Sequence, residues 1–91
     1  MRLEDTAKLM TSEDYKERFI AEYVQVIIRL TRLSILLRKV NNGESCFTPT
    51  CPISLLKDQY SAMVRYSLVL SKRAEIEKIK LPSIDAIKSE Q

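Results

Sequence analysis

The chain has 91 residues, 45% of them hydrophobic and 30% charged, with a net charge of +3. That is room for one domain, taken as residues 1–91, and too little for a large self-sufficient core. The composition excludes a disordered polymer. No apolar run reaches the ~18 residues of a membrane span, and no secretory leader opens the chain, so no membrane partner is expected. There is no histidine, and the two cysteines stand five apart, so one chain cannot assemble a four-ligand zinc site and lacks the commonest general base. Charge is uneven: residues 1–22 carry four basic and six acidic side chains, residues 29–80 ten basic and four acidic. The positive body suits an anionic partner, although on charge alone a solvated lysine and arginine surface is the simpler account.

In chain order, Leu3, Ala7 and Met10 fall at i, i+4, i+7, the pattern of a short amphipathic helix that must dock to persist. Thr11-Ser12-Glu13-Asp14 reads as a helix start, with Thr11 or Ser12 as the cap and acidic residues at the positive end of the dipole. A long helix is predicted over about 13–40. Phe19, Tyr23, Val26, Leu30, Leu33, Leu37 and Val40 are spaced 4-3-4-3-4-3, a full heptad seam for an antiparallel partner helix. Ile20, Val24, Ile27, Ile28, Ile35 and Leu36 lie off that seam. A helix apolar around most of its circumference is covered on several sides, and with one partner helix per chain the remaining cover is expected from other chains. The polar stripe of this helix holds Tyr15, Arg18, Glu22, Gln25, Arg29, Arg32 and Lys39. A solvated face with an i,i+4 Arg18–Glu22 pair accounts for it without a ligand.

A hinge over 41–51 contains the only glycine, Gly43, both cysteines, Cys46 and Cys51, and Pro49, and Pro52 follows it directly. The spacing allows a Cys46–Cys51 disulfide, and a reducing cytosol argues against it. A second long helix is predicted over about 52–80, with Pro52 in its first turn and Cys51 or Thr50 as the flanking cap. Its seam is Ile53, Leu56, Tyr60, Met63, Ser67, Leu70 and Ala74, with Leu55, Tyr66, Val69 and Ile76 as a second apolar line. Pro82 disfavours helix at Leu81, which puts the end near Ile79 or Lys80. Beyond it, Ile84 and Ile87 suit either a short helix or a loose tail. No phosphate loop, paired carboxylates or nucleophile–base arrangement is present, so an enzyme and a cofactor are not expected. The fold class is all-α: an antiparallel two-helix hairpin with a short N-terminal helix, assembled into a homo-oligomeric helical bundle.

The series Asp14-Tyr15-Lys16-Glu17-Arg18-Phe19-Ile20-Ala21-Glu22-Tyr23, Phe47-Thr48-Pro49-Thr50-Cys51-Pro52, Leu55-Leu56-Lys57-Asp58-Gln59, Met63, Tyr66, Leu70, Arg73-Ala74 and Ile76-Glu77 carries a resemblance. Over about 12–81 it resembles small proteins of crAss-like and other gut phages, a group similar to the helical hairpin domain shared by the phage anti-CBASS sponge and an anti-Thoeris sponge. The resemblance implies a compact homo-oligomer, a hexamer in the anti-CBASS case. It also implies a protein that holds a cyclic di- or trinucleotide immune signal in the host bacterial cytoplasm without cleaving it. In that setting arginine forks meet phosphates and tyrosine stacks on a base. Tyr15, Arg18, Arg29 and Arg32 on one helical face, or Arg65 and Arg73 at a symmetry-related junction, would supply both. Where the anti-CBASS members are expected to carry a lysine late in the first helix, this chain has Arg29-Leu30, and its hinge is longer. The alternatives are a small structural or adaptor protein that binds another protein through the hairpin and, less in keeping with the residues, a nucleic-acid binder using the positive body.

Overall fold

The computed structural model describes residues 1–44 and 49–91. Four helices follow one another: α1 (Leu3–Met10), α2 (Tyr15–Asn41), α3 (Ile53–Glu77) and α4 (Ile84–Ser89). The described residues contain no strand, so the chain is all-helical. No helix among them is long and apolar enough to cross a membrane. The molecule measures 43 × 23 × 22 Å, and the 27 residues of α2, at ~1.5 Å each, account for nearly all of the long axis.

Local chemistry sets the helix ends. The Asp14 carboxylate accepts a hydrogen bond from the Lys16 backbone N–H at 2.9 Å and is the N-cap of α2. The helix therefore starts at Tyr15, two residues later than the Thr11 or Ser12 cap predicts. Ser12 instead braces the preceding turn: its hydroxyl accepts from the Asp14 N–H at 3.0 Å and donates to Glu17 at 2.8 Å. At the far end Gly43 takes φ 69°, which lets the Glu44 N–H reach back to the Lys39 carbonyl at 2.9 Å. Cys46 and Phe47, and with them the paired-cysteine expectation, lie outside the described residues; Cys51 is half-buried just before Pro52, the N-cap of α3.

The end of α3 differs from expectation. The helix stops at Glu77, before Pro82 can act, because Lys78 adopts the left-handed conformation (φ 58°, ψ 43°). The Ile79 N–H then bonds the Ala74 carbonyl at 2.8 Å, and Ile79 folds back into the core. Such a stop ordinarily uses glycine at the reversed position, so a lysine there gives no signal in the sequence. In α4, Ser83 caps the helix by accepting from the Ala86 N–H at 3.1 Å, and Ile87 is buried while Ile84 stays exposed.

The core consists of Phe19, Tyr23, Val24, Val26, Ile27 and Ile28 from α2, Leu70 and Ala74 from α3, and Ile79 and Ile87. Val24 and Ile28, both off the heptad seam, are 0% exposed. Both α1 and α4 pack on α2 and cover it where the long helices alone would not. The Thr6 hydroxyl fastens α1 in place, donating to the Leu3 carbonyl at 2.6 Å and accepting from the Gln25 amide at 3.0 Å. This corrects the expectation that other chains must cover Val24, Ile27 and Ile28: the chain's own short helices do so. What stays uncovered is Ile35 of α2, with Leu68 and the second apolar line of α3, where Leu55, Tyr66, Val69 and Ile76 are exposed, Ile76 by 80%.

Candidate ligand-binding site

Residues 15 and 22 of α2 meet residues 73 and 66 of α3 through hydrogen bonds, so the two helices run in opposite directions. A further seven-residue step along each helix brings Arg29 and Gln59 into a shared groove. The heptad spacing of both helices thus delivers polar side chains to one side of the seam at regular intervals.

The groove lies between α2 and α3 and encloses about 490 Å³. Its floor is apolar, from Val26, Leu33 and Met63, and its rim carries Glu22, Gln25, Arg29, Gln59 and Tyr66. The Tyr66 hydroxyl donates to the Glu22 carboxylate across the helix pair, while Gln25 is held by its bond to Thr6. Arg29 is exposed and, among the described residues, has no ion-pair partner. A planar cation, a carboxylate engaged by the phenol hydroxyl, two carboxamides and a phenol ring over an apolar floor suit a flat, heteroatom-rich ligand of a few hundred Å³ with an anionic group for Arg29.

A second polar constellation closes the opposite end of the helix pair. The Tyr15 hydroxyl donates to the Glu77 carboxylate at 2.9 Å and accepts from the Arg73 guanidinium at 2.7 Å. Arg73 also bonds Glu77 at 3.3 Å and lies 4.9 Å above the Phe19 ring, a cation–π contact. The hydrogen bond to Glu77 holds the Tyr15 phenol above the usual phenol range, with partial burial adding to it and Arg73 opposing it. Tyr15 is therefore a neutral hydroxyl in this cluster at physiological pH.

The predicted site residues separate. Tyr15 and Arg73, assigned to alternative pockets by spacing, meet in one cluster. Arg18 turns away from them: its guanidinium donates to the Ser12 carbonyl at 2.6 Å and holds the α1–α2 turn. Arg29 lines the groove, 14 residues from Tyr15, or ~21 Å along the helix axis. Arg32 and Arg65 are exposed and line neither constellation. Spacing within one helix did not single out Gln59, Tyr66, Glu22 or Glu77 as site residues, because their roles arise only when the two helices are set in register. The repeated seven-residue offset was the available signal.

The fold and groove define a small all-helical protein with a ligand-sized polar cleft between its two long helices. The Sequestin family model matches residues 13–76, well over half of the chain, and the chain belongs to that family. No curated protein and no solved structure gives a significant match. The matched segment takes in α2 and nearly all of α3 and leaves out α1 and α4.

Proposed function

We propose that this protein is a phage anti-defence sponge: it binds cyclic oligonucleotide immune signals in the host bacterial cytoplasm and keeps them from their effectors without cleaving them. The observation that carries this is the groove between α2 and α3, where Arg29, without an ion-pair partner among the described residues, stands beside Gln25, Gln59 and Tyr66. Membership in a family whose name speaks of sequestering fits it. A cyclic di- or trinucleotide supplies the matching chemistry: phosphates for the arginine fork, flat bases for the phenol ring, and base edges for the amides. In this proposal the helical hairpin is the protomer of a homo-oligomer, a hexamer, with Leu55, Val69 and Ile76 of α3 at the contacts between chains.

A thermal-shift screen against cyclic di- and trinucleotides and cyclic ADP-ribose isomers tests the proposal, because a ligand that binds only the native state raises its melting temperature. The ligand is then released by heat and recovered intact. A screen with no shift overturns the sponge, and a ligand recovered cleaved overturns sequestration without chemistry. The exposed apolar line of α3 also favours a second reading, an adaptor that docks another protein there. That reading takes over when no nucleotide binds and the chain is monomeric in solution.

A further inference from the structure

A second cavity lies on the roughly opposite side of α2, bounded by α2, α3 and α4, and encloses about 400 Å³. Thr31, Ser34 and Arg38 reach it from α2 at i, i+3 and i+7, so one helical face brings a threonine, a serine and an arginine to it. Tyr60 of α3, Lys88 of α4 and Gln91 complete the polar lining. We propose that this cavity is a separate binding site for the phosphate of a nucleotide-sized organic phosphate, held by Arg38 and Lys88 with Tyr60 as the flat wall.

Three observations converge on it. First, the lining side chains carry two cations and no carboxylate. Among the described residues neither Arg38 nor Lys88 has an ion-pair partner. Each stands in the last turn of its helix, where terminal carbonyls favour positive charge; that accounts for a cation on each helix but not for both facing one cavity. Second, the Thr31 hydroxyl oxygen is buried and, among the described residues, has no hydrogen-bond partner, so a rotation about its Cα–Cβ bond brings an unpaired donor to the cavity. A buried hydroxyl left unpaired carries its full desolvation cost, and native proteins keep such groups where an absent partner returns. Third, the cavity is several times the size of a bare phosphate and has an aromatic side chain in its wall, so the remainder of a nucleotide fits beside it. Arginine supplies a two-pronged contact to phosphate oxygens, lysine a point charge, and a threonine hydroxyl a further donor. Lys88 lies beyond the segment that defines the family, so the site is a property of this chain's own C-terminal helix and does not depend on the groove at Arg29.

The test is an NMR titration of the full-length protein, at constant ionic strength, with inorganic phosphate and with adenosine 5′-monophosphate. The expected result is saturable shifts at the amides of Thr31, Ser34, Arg38 and Lys88, with the nucleotide binding more tightly than phosphate. The Arg38→Gln and Lys88→Gln variants each weaken binding about tenfold or more, while Lys72→Gln, which lines neither cavity, leaves it unchanged. Thr31→Val weakens binding too, yet leaves the free protein at least as stable, because it removes an unpaired hydroxyl; loss of a merely structural threonine would lower stability and spare binding. No saturable shift up to about 10 mM of either probe overturns the site, a millimolar dissociation constant being the weak end of specific binding. Shifts confined to the Arg29 and Tyr66 groove overturn it as well. Equal affinity for the two probes overturns the nucleotide-sized ligand.

Discussion

Ile28 and Ile76 separate what holds the chain together from what, in the proposed homo-oligomer, holds chains to one another. Ile28 is 0% exposed within a single chain. Truncation to alanine removes its transfer free energy and leaves a cavity between helices fixed on several sides, a loss of about 2–5 kcal/mol. For a domain of this size each kcal/mol moves the melting temperature by ~4–8 °C, so Ile28→Ala melts at least ~8 °C below wild type. Ile76 is 80% exposed, and a lysine there costs an isolated chain within about 0.5 kcal/mol. In a dry contact between chains the same lysine buries a charge, whose cost is several kcal/mol. Multi-angle light scattering and calorimetry, run on both variants, give the expected pattern. Ile28→Ala loses melting temperature; Ile76→Lys lowers the particle mass toward the 10.5 kDa of one chain. An Ile28→Ala protein melting within a degree or two of wild type would refute the sealing of α2 by the short helices. An unchanged mass for Ile76→Lys would refute α3 as the contact between chains.

Lys78→Gly relieves a left-handed residue at the end of α3, and since that conformation costs a side-chain-bearing residue ~1–2 kcal/mol against the extra chain entropy of glycine, a gain of about 0.5–1 kcal/mol is expected; a lower denaturant midpoint counts against it. Tyr15 is held protonated by Glu77, so the fold favours the neutral phenol. Its contribution is intact below the phenol's unfolded pKa and is lost as pH rises through the higher folded value. An NMR titration of the Tyr15 ring moves to lower pH in Glu77→Ala, and an unmoved curve contradicts the hydrogen-bond assignment.

Much of the architecture was legible because it rests on period. The seam from Phe19 to Val40 and its counterpart from Ile53 to Ala74 can bury only against each other, and the buried residues Phe19, Tyr23, Val26, Ser67, Leu70 and Ala74 lie on them. What the sequence withheld was mainly pairing between elements. Leu3 and Ile87 belong to two-turn segments with no stability of their own, so nothing local revealed that α1 and α4 cover Val24 and Ile28 and remove part of the case for neighbouring chains. Lys78 carries no mark of a left-handed residue, and Asp14 outcompeted Thr11 and Ser12 as cap only through the geometry of the turn. At the site, periodicity put Tyr15, Arg18 and Arg29 on one stripe, yet Arg18 is spent on the Ser12 carbonyl and Tyr15 on Arg73 and Glu77. Side chains on a common helical face reach a common ligand only when their own neighbours leave them free.

Tyr15 and Arg29 define the last test, because their separation decides how many chains form a pocket. They lie 14 residues apart on α2, ~21 Å along the axis, farther than one cyclic dinucleotide reaches with its bases and phosphates both engaged. If both side chains contact the same ligand, they come from different chains. On that shared arrangement Tyr15→Ala and Arg29→Ala each weaken cyclic-dinucleotide binding at least tenfold, ~1.4 kcal/mol, with particle mass unchanged. Mixing discriminates further. When the two variants are unfolded together and co-assembled in equal amounts, a pocket shared between chains draws an intact Tyr15 from one variant and an intact Arg29 from the other. Random assembly of such isologous pockets restores roughly a quarter of the wild-type capacity, measured as tight sites by calorimetry. A pocket built within one chain recovers nothing on mixing, since every chain carries one defect. Loss of binding in Arg29→Ala alone, with Tyr15→Ala binding like wild type, places the ligand wholly in the α2–α3 groove and leaves the Tyr15, Arg73 and Glu77 cluster as the clasp that holds the two helices in register.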